Sequence, residues 1–271
     1  MRNRTLPGLA AAVMILAACS DTTAPLNDPE TLMLSADVAR VAADGIGEDV
    51  ELMRDPTFGQ RFVLLGAPLA GPFTDQCSYD GEWHTCGPFE RGQLTFLRQV
   101  AFHGASGTPM ESFDAHLTAS VRIITSVDGE LSHEAWSASV ERHRDMTVTG
   151  LQGDEQSRTW NGSGTNLTRR SRHSDGGAAR SYDMDASFAV QNVVVPRSNN
   201  DQKDHWPLSG TITRTVHVTV LDQDGELLRE AARTVTVTFN GTQFATMTVT
   251  GGGGTETFEL DLGQRRAHRK P

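Results

Sequence analysis

From Pro56 to the end of the chain, apolar and polar residues alternate with a period of two. Leu94, Phe96, Val100 and Phe102 alternate with Thr95, Gln99 and His103, and Leu117, Ala119, Val121 and Ile123 with His116, Thr118, Ser120 and Arg122. Val216, Val218 and Val220 alternate with Thr215, His217 and Thr219, and Val235, Val237 and Phe239 with Thr234, Thr236 and Thr238. Successive side chains of a strand point to opposite faces, so the pattern predicts antiparallel strands with one face buried and one wet. Asp80-Gly81, Asp128-Gly129, Asp175-Gly176, Asp224-Gly225 and Asn240-Gly241 have the composition of two-residue type I′ hairpin turns. Softer breaks fall at residues 104–108, 151–154, 196–207 and 251–254. The strands between these breaks run roughly 10 to 18 residues, against a usual 5 to 6, and should twist and bend strongly. The expectation is a mainly β fold. About eight to ten strands form a meander that curves into a sheet, half-barrel or barrel, with one N-terminal helical segment packed on it. A faint echo between Trp160 to Thr165 and Trp206 to Thr211 suggests equivalent strand starts.

Residues 28–55 follow a different period. Asp28 suits a helix cap, Pro29 the first turn, and Glu30 the positive end of the helix dipole. Leu34, Val38, Val41, Ile46, Val50 and Met53 recur every three to five residues and make one apolar face. Gly45 and Gly47 are expected to break the helix in two. The segment holds eight acids against Arg40 and Arg54, which predicts a strongly negative solvent face.

The 271 residues carry a formal charge of −10. A nucleic-acid binder needs a basic surface to displace counterions from phosphates, so that class is excluded. At the start, Arg2 and Arg4 precede an apolar run from Leu6 to Ala18 that ends in Leu16-Ala17-Ala18-Cys19. Its 13 residues are too few for a transmembrane helix, which needs about 20. The ending resembles the lipobox of bacterial lipoproteins. That resemblance implies that residues 1–18 are a signal peptide, that Cys19 is the acylated anchor in the bilayer, and that residues 19–27 are a tether. It further implies a lipid-anchored place in the bacterial cell envelope or periplasm. Ser20, where inner-membrane retention uses aspartate, points to the outer membrane. Loss of residues 1–18 leaves 22 basic and 34 acidic residues, a charge of −12, of which −6 lies in residues 28–55.

Cys77 and Cys86 flank the Asp80-Gly81 turn and fall nearly opposite one another, which predicts a disulfide clipping a small hairpin. Eight intervening residues rule out the two-residue spacing of a redox pair. The nine histidines are scattered and no HExxH occurs, so no metal site is predicted. Asp183 and Asp185 share a strand face, and Asp222 to Glu226 only superficially resembles a calcium loop. Neither G-x-S-x-G nor a phosphate loop is present; the four glycines from Gly251 read as a hairpin end. Arg142 and Arg144 share one strand face, and Arg170 and Arg172 another. They suit an anionic ligand, but cross-strand pairing with neighbours such as Glu141 and Asp145 is the simpler reading. Arg265 to Pro271 reads as a basic tail that touches anionic lipid or only the acidic helix.

The mature chain therefore divides into an acidic helical segment (28–55), an antiparallel β domain (56–262) and a basic tail (263–271). The expected function is a non-enzymatic binding or structural role without a cofactor, served by an envelope protein or lipid partner. A carrier of a lipid or other hydrophobic ligand is the alternative, and would need a concave apolar face larger than the helix covers. An enzyme would need His, Asp or Arg residues from different strands to converge in one cleft. Two Tyr and four Trp cannot furnish the aromatic girdles of a transmembrane barrel.

Overall fold

The computed structural model describes residues 29–55, 61–64, 67–70, 77–133, 136–172, 180–197, 206–252 and 254–269. One helix, α1 (Pro29–Arg54), is followed by the small hairpin β1 (Arg61–Leu64) and β2 (Ala67–Ala70). The remaining strands form one 13-stranded sheet. They are β3 (Cys77–Tyr79), β4 (Trp83–Arg91), β5 (Leu94–Gly104), β6 (Pro109–Met110), β7 (Thr118–His133), β8 (Trp136–Thr149), β9 (Ser157–Arg172) and β10 (Arg180–Pro196). Then follow β11 (Ser209–Leu221), β12 (Leu227–Thr238), β13 (Phe244–Gly251), β14 (Gly254–Asp261) and β15 (Arg266–Arg269). Every pairing is antiparallel and follows chain order from β3 to β15, with β6 as a side branch on β5. The sheet is an open meander, with β3 and β15 at its two margins.

The alternation seen in the sequence becomes rows of residues in register across the sheet. One row runs Val100, Ile123, Met146, Gly162, Val190, Ile212, Val237, Met247, Phe258 over nine strands, all facing α1. On the opposite face, Thr213, Thr236, Thr248 and Thr257 form a hydroxyl row, where β-branched side chains favour the extended backbone and meet water. A single core joins Val38, Ile46, Val50 and Met53 of α1 to strands from β5 to β14. Strands so far apart in order reach one helix only because the sheet curls around it. Arg144 of β8, Arg214 of β11 and Arg265, just before β15, all touch residues 47–51 of α1. A smaller cluster of Leu94, Phe96 and Val127 packs separately with Phe89 and Leu131.

Several local expectations change. The helix is continuous through Gly45 and Gly47. A Cβ on Gly45 would lie 3.0 Å from the Arg214 guanidinium, and one on Gly47 would lie 2.7 Å from Arg265, so close packing rather than a break explains both glycines. Asp128-Gly129 is no turn but lies inside β7, which runs past the start of β5 to continue its pairing with β8. Gly129 takes a φ of 137° because the Gln93 carbonyl oxygen would be 1.9 Å from a Cβ there. Asp80-Gly81, Asp224-Gly225 and Asn240-Gly241 do turn the chain, but only their glycines have positive φ, so they are not type I′. The Asp or Asn side chains hold these turns instead: Asp80 accepts the amides of Glu82 and Trp83, and Asn240 that of Thr242. Asp175-Gly176 lies outside the described residues. Within the segment read as a tail, Arg266 to Arg269 pair with β14 as a last strand. Trp160 lies inside β9 whereas Trp206 precedes β11, so the two tryptophans are not equivalent strand starts.

Candidate functional site

Beside the apolar row lies a row of a different kind: Arg98, Thr125, Arg144, Gly164, Phe188, Arg214, Val235, Val249, Glu256. Arg142 occupies the next row on the same face of β8, opposite Asn166 of β9. These charges sit at inward positions because they share parity with Val140, Met146 and Val148 on β8 and with Ile212 and Val216 on β11. Burying a charge requires a partner that replaces water. The partners come from α1.

Glu48 and Asp49 are buried against the sheet, with Asp49 at 0% exposure. Arg144 donates from Nε to Asp49 at 3.0 Å and from Nη2 to Glu48 at 3.3 Å. Arg142 donates to Glu48 and, through Nε, to Asn166 Oδ1 at 3.0 Å; Arg214 donates to Asp49. The Arg214 guanidinium lies 4.9 Å above the Phe188 ring, and that ring occupies the space a Cβ on Gly164 would fill. Burial is the largest influence on Arg142 and lowers its pKa, with Arg144 and Arg214 adding to the effect against Glu48. Burial also opposes the charge of Arg144, but Asp49 and Glu48 outweigh it and raise its pKa. The helix surface expected to face solvent is thus partly an interior surface. Its acids are the anions that satisfy the inward arginines, in place of Glu141 and Asp145.

The C-terminal end of α1 is held similarly. Arg158 donates to the Asp55 carbonyl oxygen at 3.4 Å, a favourable place for a cation at the negative end of the helix dipole. Burial pushes the Arg98 pKa down to about 10, against the attraction of Asp55. Arg54 lies over Trp206, with 4.4 Å to the ring centre. Arg265 pairs with Glu51, and Arg269 of β15 with the buried Glu256 at 3.2 Å. Part of the expected basic tail therefore does touch the acidic helix.

Comparison with known families, curated proteins and solved structures finds no match. The functional reading consequently rests on the residues themselves.

Cys77 and Cys86 form a disulfide across the β3–β4 hairpin and lie opposite one another in register. Cys19 lies outside the described residues, as do the side chains of Arg170 and Arg172. Asp183 and Asp185 face solvent on β10; Asp183 is 3.8 Å from Arg169, and Asp185 lies opposite His217. Asp222 accepts the backbone amides of Asp224 and Glu226 and so builds a turn. The described histidines disperse. His84 contacts the Glu111 carbonyl, His103 approaches Glu82, His143 meets Ser126, and His217 pairs with Glu230. Among the described residues, no group of three or more His, Cys, Asp or Glu is placed to hold a metal ion.

Glu48, Asp49 and Arg214 are the members of the cluster that sequence reasoning missed. A signal existed: Asp49 continues the stripe Ala42, Ile46, Asp49, Met53, and Arg214 stands between Ile212 and Val216 at apolar parity. The arrangement is chemically a lock. Guanidinium groups occupy the carboxylates of both acids, and the pairs fix how far α1 slides and rotates on the sheet.

Proposed function

We propose that the protein is a lipoprotein of a bacterial cell envelope, anchored through acylated Cys19, with a non-enzymatic binding or structural role. The observation that carries this reading is the bonding of Cys77 to Cys86. Disulfides persist in oxidising compartments such as the periplasm, and this one leaves Cys19 as the single remaining cysteine, inside the lipobox-like Leu16-Ala17-Ala18-Cys19. Ser20 favours the outer membrane. Anchoring through several acyl chains is stable where one chain is marginal.

The fixed helix favours a tethered body over a carrier. Val38, Ile46, Val50, Leu52 and Met53 are all buried, and five such side chains hold α1 by roughly 10 kcal/mol before the ion pairs are counted. Thermal opening against that cost is a one-in-ten-million event, too rare for a lid that admits lipid through α1. Fatty-acid labelling in a bacterial host tests the anchor: wild type incorporates label, and Cys19→Ala does not. Label retained by the variant would defeat the proposal.

A further inference from the structure

The two ends of the sheet both expose apolar side chains. At one end, where β3, β5, β10 and β12 finish and β7, β11 and β13 begin, Tyr79, Phe113, Leu117, Leu208 and Phe244 are exposed at or beside four separate strand connections. At the other, the β11–β12 hairpin exposes two adjacent residues, Leu227 (57%) and Leu228 (52%). A register shift where β12 begins lets both neighbours lie in solvent.

The path of α1 distinguishes these ends. Its C-terminus lies at the loop end, where Arg54 meets Trp206 and Asp55 meets Arg158. Asp49 is already beside Arg214, in the middle of β11, so going toward its N-terminus the helix runs toward the β11–β12 turn. Its 26 residues make it about 39 Å long. From Asp49 back to Pro29 it covers about 30 Å, whereas β11 has only about 23 Å left between Arg214 and Leu221. Laid along β11, the helix would start level with the turn or beyond it. Ten residue steps separate Pro29 from Cys19, at most about 36 Å when fully stretched and about 17 Å in a flexible chain. With Cys19 in a bilayer, the tether reaches the turn end easily and falls short of the loop end.

We infer that the β11–β12 hairpin is a bilayer-docking site, with Leu227 and Leu228 entering the headgroup and acyl-chain boundary next to the anchor. The inference rests on the anchoring proposed above. The turn's Asp222, Asp224 and Glu226 are set against Arg229 and against Arg169, Arg170, Arg172 and Arg180 on the adjoining ends of β9 and β10, so charge does not select the surface and the two leucines carry the docking. The apolar loop end then faces away from the membrane.

Lipidated full-length protein reconstituted into vesicles of phosphatidylcholine and phosphatidylethanolamine tests this. With Cys77 and Cys86 bonded and Cys19 acylated, a cysteine at Leu228 or at Leu208 is the sole free thiol for an environment-sensitive dye; Leu227→Cys and Phe244→Cys provide a second pair. Spin-labelled lipid should quench the turn-end dyes at least about fivefold more than the loop-end dyes. Equal quenching, or stronger quenching at Leu208→Cys, overturns the inference. Protein that fails to float with the vesicles overturns the anchor and the docking site together. Flotation with every dye unquenched overturns the docking site alone.

Discussion

Arg144 and Asp145 are neighbours on β8, point to opposite faces of the sheet, and each belongs to an arginine–carboxylate pair. Arg144 pairs inside with Asp49 and Glu48, where all three side chains are no more than 5% exposed. Asp145 pairs outside with Arg122 through two bonds of 2.9 and 2.6 Å, with Trp83 5.5 Å from the guanidinium. The outer geometry is as good as the inner one, so the surrounding medium makes the difference. In water an ion pair adds about 0 to 1 kcal/mol and is screened by salt. In the core the attraction is larger, but it mostly offsets lost hydration, and the large effect appears only when one partner is removed.

The largest predicted effect breaks the inner side of that comparison. Asp49→Ala leaves Arg214 without its carboxylate and Arg144 with only Glu48, and should cost about 3 to 5 kcal/mol of unfolding free energy, read from urea denaturation. Replacing the cluster as a whole sharpens the point. Glu48→Leu and Asp49→Leu combined with Met at Arg142, Arg144 and Arg214 should be as stable as the parent or up to about 4 kcal/mol more stable, with a melting temperature at or above the parent's. A fivefold variant as unstable as Asp49→Ala would show that the charges do more than satisfy one another. The two glycines of α1 give a smaller effect. Gly45→Ala pushes on an Arg214 already held by Asp49 and Phe188 and should lose about 1 kcal/mol despite better helix propensity. Gly47→Ala brings a Cβ within 2.7 Å of the stem of Arg265, a side chain only 20% exposed and paired with Glu51, so thermal melts should show a loss at least as large.

The smallest effect is on the outer pair. Arg122→Ala should change stability by no more than about 1 kcal/mol, and by less at high salt. The Arg122 hydrogen bonds hold the Asp145 pKa below its ordinary value. A depressed carboxylate stabilises the fold fully above its unfolded value of about 3.9, and that contribution fades as pH falls through the lower folded value. Melting curves of wild type and Asp145→Asn should differ at pH 6 and draw together as pH falls below about 3.9.

The meander was legible because register rows of one character cross up to nine strands, so each strand repeats the alternation of its neighbours. Val216, Val218 and Val220 against Thr215, His217 and Thr219 appear in the fold as inner and outer positions, as their order predicted. Asp128-Gly129 misled because turn composition is local, whereas β7 continues wherever β8 offers it hydrogen bonds. Whether the sheet closes was not legible, since it depends on twist accumulated over many strands. The inward arginines were visible as residues at apolar parity, but their partners were not. Arg144 and Asp49 are 95 positions apart, and no spacing rule connects a strand in the sheet to one turn of a distant helix.

Among the described residues the open sheet has two margins, β3 and β15, and a sheet margin's outward amides and carbonyls are a template for a foreign strand. The margins here offer little to copy. β3 pairs over only three residues and is stapled to β4 by Cys77–Cys86, while β15 is four residues long and reads Arg-Ala-His-Arg. A strand adding itself at β15 would bring another chain up against that charge, and one adding at β3 would find a grip of three residues. Growth into fibres through these margins is thus disfavoured, and a longer, uncharged last strand would remove that protection.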